Sequence, residues 1–62
     1  MKAKKISMAF MEFLLESDPM FDRKYYAVDN ETGHVTALDV RNGEMFVEVF
    51  HDIDAALEWL AD

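Results

Sequence analysis

The stretch His34–Phe50, HVTALDVRNGEMFVEVF, decides the fold. At its centre, Asn42-Gly43 is the dipeptide best suited to a type I′ turn, in which both central residues take positive φ. The segments on either side are rich in β-branched and aromatic residues, as strands are. A two-residue turn also fixes the pairing. Val40 falls opposite Met45, Leu38 opposite Val47 and Thr36 opposite Val49, so these six share one face of a hairpin.

Upstream, Tyr25–Asp29 reads as another strand. Asn30-Glu31-Thr32-Gly33-His34 matches a three-residue hairpin loop, a type I turn followed by Gly33 in the left-handed region, with Asn30 facing His34. That register puts Val28 opposite Thr36 and Tyr26 opposite Leu38. The expected core face is then Tyr26, Val28, Thr36, Leu38, Val40, Met45, Val47 and Val49. The opposite face carries Tyr25, Ala27, Val35, Ala37, Phe46 and Phe50 among Asp29, Asp39, Arg41, Glu44 and Glu48.

Helices flank the strands. At the C-terminal end Asp52 suits an N-cap and Asp54 the positive end of the helix dipole. Ile53, Leu57 and Leu60 form one stripe bordered by Ala56, with Trp59 pointing away. At the N-terminal end a helix is expected over Ala3–Ser17, ended by Asp18-Pro19, because a residue before proline is driven out of the helical region. Met20 to Lys24 form a connector. Ile6, Phe10, Phe13, Leu14 and Ser17 make the inward stripe of that helix, leaving Met8, Met11 and Leu15 on its far side. The reading is an α+β fold of order α-β-β-β-α: a three-stranded antiparallel meander with both helices packed on one face.

With 62 residues the chain makes a single small domain, 1–62, and its lack of Cys removes disulfide and thiolate-metal staples. The absence of Cys also fits a reducing compartment, and a cytoplasmic location is expected. Ile6–Leu15 is too short to span a bilayer, and no small-residue cleavage site follows it, so it is read as a helix of the mature protein and not a secretory signal. Net charge is −7 and unevenly placed: residues 1–24 carry five bases and four acids, residues 25–62 one base and nine acids. Direct nucleic-acid binding needs a basic face that these strands lack.

No catalytic constellation is evident. His34 lies beside a turn and His51 before the last helix, both glycines serve turns, and no Ser/His/Asp arrangement or phosphate-cradling loop is present. His51-Asp52-Ile53-Asp54 offers a nitrogen and two carboxylates, but capping accounts for Asp52 and a zinc site wants four spaced ligands. The expectation is a protein that is not an enzyme and has no cofactor, no metal and no membrane contact.

Apolar residues exceed what one core of this size needs. The surplus groups are Met8, Met11 and Leu15 on the first helix, Tyr25, Phe46 and Phe50 on the outer sheet face, and Trp59 on the last helix. Aromatic and Met side chains are enriched at interface centres, which marks these seven as a protein-interaction surface, through a homodimer in the simplest case. A second candidate is an acidic patch of Asp39, Glu44, Glu48, Asp52, Asp54 and Glu58, extended by Asp62, which would meet a basic surface.

A three-stranded meander followed by a helix resembles small DNA-binding domains that read a groove with their sheet. Those require basic strands, and these are acidic. In size, acidity and lack of Cys the chain is similar in style to phage-encoded inhibitors of host defence. That resemblance implies an alternative function, a nucleic-acid mimic occupying a basic nucleic-acid-binding surface of a larger protein.

Overall fold

The computed structural model describes residues 3–17 and 21–61. The elements are β1 (Lys4–Lys5), α1 (Met8–Glu16), β2 (Arg23–Val28), β3 (Val35–Arg41), β4 (Glu44–Phe50) and α2 (Ile53–Leu60). The strands form one sheet in the order β1-β2-β3-β4. The fold is α+β, but the sheet is four-stranded and mixed, because β1 runs parallel to β2 while the other pairs are antiparallel. The Asp18-Pro19 stop and Met20 lie outside the described residues, as do Met1, Lys2 and Asp62.

The N-terminal helix is shorter than its periodicity implies. Ser7 is extended (φ −75°, ψ 157°) and its side chain accepts from the Phe10 amide at 3.1 Å, capping α1 at Met8. The residues before the cap are therefore free to extend. Lys4 and Lys5 pair with Tyr25 and Tyr26, and the Ile6 amide donates to the Tyr26 carbonyl at 2.9 Å. At the other end the Ser17 hydroxyl donates to the Phe13 carbonyl at 2.8 Å.

The β3–β4 hairpin has the register read from Asn42-Gly43: Val40 opposite Met45, Leu38 opposite Val47, Thr36 opposite Val49. Asn42 and Gly43 take φ of 52° and 79°, as a type I′ turn requires. The Asn42 amide is held by the Asp22 carboxylate at 3.0 Å, tying the turn to the segment entering β2.

The β2–β3 register differs from the expected one by a single residue. Val28 lies opposite Val35, not Thr36, and Tyr26 opposite Ala37, not Leu38. Turn chemistry is the reason. The Asp29 carboxylate accepts from the Glu31 amide at 2.9 Å, so Asp29, not Asn30, opens the turn. Asp29 then bonds His34 across the loop, and Gly33 (φ 81°) donates to the Asp29 carbonyl at 2.7 Å. The loop holds four residues, and this slip turns β2 over. Tyr25 and Ala27 join Leu38 and Val40, while Tyr26 and Val28 join Val35, Ala37 and Phe50.

The sheet consequently has two cores. Met11 and Leu14 of α1 pack with Ala27, Leu38 and Val40 on one face. Ala56 and Leu60 of α2 pack with Val35 and Ala37 on the other. The helices thus cover opposite faces, and the expectation of two helices on one face is corrected. β3 lies between them. From Val35 to Val40 only Thr36 escapes full burial, the pattern of a strand covered on both sides.

Candidate functional site

The two cores between them absorb most of the apolar surplus. Met11 is fully buried, and Met8, Leu15 and Tyr25 are half-buried against the α1 core. The expected outward ridge of Met8, Met11 and Leu15 is therefore the inward face of α1. Phe50 and Trp59 pack together at 5.7 Å between ring centroids on the α2 core. Of the seven interaction candidates only Phe46 is exposed, beneath the Arg41 guanidinium at 5.4 Å from its ring centroid.

The exposed hydrophobics lie elsewhere. Phe10 and Phe13, read as core, stack on one another at 6.0 Å on the outside of α1, and Phe13 is 60% exposed. Val47 and Val49, also read as core, are exposed on β4, Val49 at 57%. α1 lies against β2, and its core reaches Leu38 and Val40 of β3 but only Met45 of β4, which is why these valines reach solvent. On α2, Ile53 and Leu57 are partly exposed because the helix is rotated toward Ala56, Leu60 and Trp59. Phe21 is exposed just ahead of β2. The end position of β4 in the meander was a signal that could have flagged Val47 and Val49. No comparable signal separated the two faces of α1.

β4 is an edge strand, and its outer side is paired with nothing among the described residues. The two-residue turn makes Arg41–Glu44 a hydrogen-bonded pair, so Asp39–Phe46, Ala37–Glu48 and Val35–Phe50 are also hydrogen-bonded pairs. The N–H and C=O groups of Met45, Val47 and Val49 consequently point to the open edge.

The acidic candidates separate as well. Glu44, Glu48, Asp52, Asp54 and Glu58 are exposed, and the two glutamates of β4 lie on the α2 side of the sheet. Asp52 caps α2 by accepting from the Ala55 amide at 2.7 Å. Asp39 leaves the patch because it is buried at 2% exposure on the central strand. Its Oδ2 meets Arg41 Nη2 at 3.1 Å, while its Oδ1 has no hydrogen-bond partner among the described residues. Lys24, opposite Asp39 in the register, donates from Nζ to the Leu60 carbonyl at the end of α2.

Among the described residues no group of three or more His, Cys, Asp or Glu side chains converges. The His34 and His51 rings meet edge-on at 5.2 Å, continuing the β3–β4 ladder beyond Val35–Phe50. An open cleft of about 650 Å³ lies between Ser7, Met8, Glu12, Val28, Asp29 and Ile53, and none of its charged side chains is buried. Among the described residues no helix is long and apolar enough to cross a membrane. No protein-family model, curated protein or solved structure matches the chain.

Proposed function

We propose that this chain is a small, non-catalytic protein-interaction module of the cytoplasm that associates with itself. The observation carrying the reading is the exposed apolar surface of β4 and α1. Phe10, Phe13, Phe46, Val47 and Val49 are all exposed after both helices have docked. Scattered exposed apolar residues are ordinary, as Phe21, Ile53 and Leu57 are here, but Phe46, Val47 and Val49 follow one another along one edge strand and Phe10 and Phe13 stack on the outer side of α1. Sedimentation velocity at low and high protein concentration tests the reading. The expected result is a concentration-dependent dimer that persists at ~0.5 M salt, where contacts between exposed charges are screened. A monomer at every concentration overturns it.

A second reading rests on the α2 side, where Glu44, Glu48, Asp52, Asp54 and Glu58 are exposed. There the chain acts as a nucleic-acid mimic, of the kind a phage inhibitor uses, against a basic nucleic-acid-binding surface. Such a mimic competes with duplex DNA for a basic DNA-binding domain, and competition weakens as salt rises. The triple variant Glu48→Gln, Asp54→Asn, Glu58→Gln should lose that competition. Equal competition by the variant removes the mimic.

A further inference from the structure

The geometry points to the open edge of β4 as the self-association site, pairing antiparallel with β4 of a second copy about a two-fold axis at Val47. This rests on the self-association reading and names its surface.

Three observations carry it. The first is the free ladder edge, where Met45, Val47 and Val49 present unpaired backbone donors and acceptors. With the axis at Val47, Val47 meets its own copy and each Met45 meets Val49 of the other chain. All three residue pairs exchange two backbone hydrogen bonds. An axis at Phe46 or Glu48 leaves one outward-pointing residue of the strand without such a partner inside the strand.

The second observation is charge. The axis at Val47 sets Glu44 opposite Phe50 and Glu48 opposite Phe46, so no carboxylate faces another directly. The two Glu48 side chains come no nearer than a diagonal, about 7–8 Å. Moving the axis to Phe46 places Glu44 opposite Glu48, and moving it to Glu48 places that residue opposite itself. Like charges directly opposite destabilise a ladder, so charge disfavours both neighbouring registers, and registers shifted further leave still more of the outward-pointing residues unpaired.

The third is weak edge protection. Natural edge strands are blunted by charged side chains, Lys above all, and by Pro, bulges or extreme shortness, and β4 has only Glu44 and Glu48 of these, both on its α2 side. β4 has seven residues, no Lys or Pro, and an uninterrupted register with β3. Its α1-side valines are exposed, and the paired edges would set the two valine rows side by side.

Cysteine cross-linking reads the register directly, because the chain has no Cys of its own. In the proposed dimer the Val47 Cα atoms are about 5.5 Å apart, within disulfide reach. Val47→Cys should therefore oxidise to a covalent dimer, whereas Val49→Cys alone should not. A mixture of Met45→Cys and Val49→Cys should cross-link as a heterodimer. Val47→Lys, which puts like charges on the axis, should weaken association at least tenfold while the far-ultraviolet circular dichroism stays that of the wild type. If the wild type dimerises but Val47→Cys stays uncross-linked, or Val47→Lys dimerises normally, the β4 pairing is overturned and the interaction module stands on another surface. A wild type that is monomeric throughout overturns both.

Discussion

The orientation of α1 can be tested with two truncations. Met11 is fully buried and packs with Leu14, Ala27, Leu38 and Val40, whereas Phe13, two residues on, is 60% exposed and stacks on Phe10. Removing a buried Met side chain costs about 2–5 kcal/mol, the loss of transfer free energy plus the cavity left behind. A domain of this length has a total stability of roughly 3–9 kcal/mol, so Met11→Ala should remove a large part of it. Phe13→Ala deletes a bigger side chain, but one already largely hydrated, and should cost less than about 1 kcal/mol, mostly the stacking on Phe10. Urea unfolding followed by circular dichroism separates the two. With a slope of about 1 kcal/mol/M, expected at the low end for so small a chain, Met11→Ala should lower the midpoint by about 2 M or more and Phe13→Ala by less than about 1 M. If Phe13→Ala were the more damaging, α1 would be rotated to put Phe10 and Phe13 inward. The two-core description of the sheet would then fail.

Other expectations are narrower. Asp52→Ala should destabilise by about 0.5–2 kcal/mol in the same unfolding assay, because the Ala55 amide loses its acceptor and α2 its cap. At Gly43 an added Cβ meets nothing within 4 Å, so Gly43→Ala should cost only the left-handed backbone penalty, about 1–2 kcal/mol, with no change in fold by amide NMR. Arg41→Ala removes the cation paired with buried Asp39 and should cost about 1–3 kcal/mol, whereas Arg41→Lys should recover part of it. Self-association joins two chains of net charge −7, so added salt should strengthen the dimer seen by sedimentation; binding to a basic surface would weaken instead.

Local chemistry made some of this legible from residues alone. Asn42-Gly43 admits one tight turn, and with it the register of the β3–β4 hairpin. Asp52 declares the start of α2, since a carboxylate placed there accepts an otherwise orphaned amide. Strand and helix types followed from composition. In each case the deciding interaction lies within a few residues of the chain.

Where two local solutions were nearly equal, the three-dimensional arrangement chose. Asp29 and Asn30 are both good turn openers, and the hydrogen bond from the Glu31 amide to Asp29 selects the four-residue loop. That single-residue shift moved every β2 side chain to the other face. α1 is apolar on two sides, so its pattern fits burial of Phe10 and Phe13 as well as burial of Met8, Met11 and Leu15. Only packing over Ala27 and Leu38 decided for the methionines. The pairing of Lys4 and Lys5 with β2 is long-range, and two lysines carry no strand signature.

The candidate site changed for the same reason. Most of the apolar residues counted as surplus against one core were taken up by two cores once the helices took opposite faces. What composition established is a small, acidic, Cys-free α+β chain with a specified hairpin. Which of its hydrophobic residues stay in water was decided by tertiary structure, because exposure depends on where each helix lands and which strand is last in the sheet. That outcome buries Met11, packs Trp59 on the α2 core and leaves Phe10, Phe13, Val47 and Val49 in water.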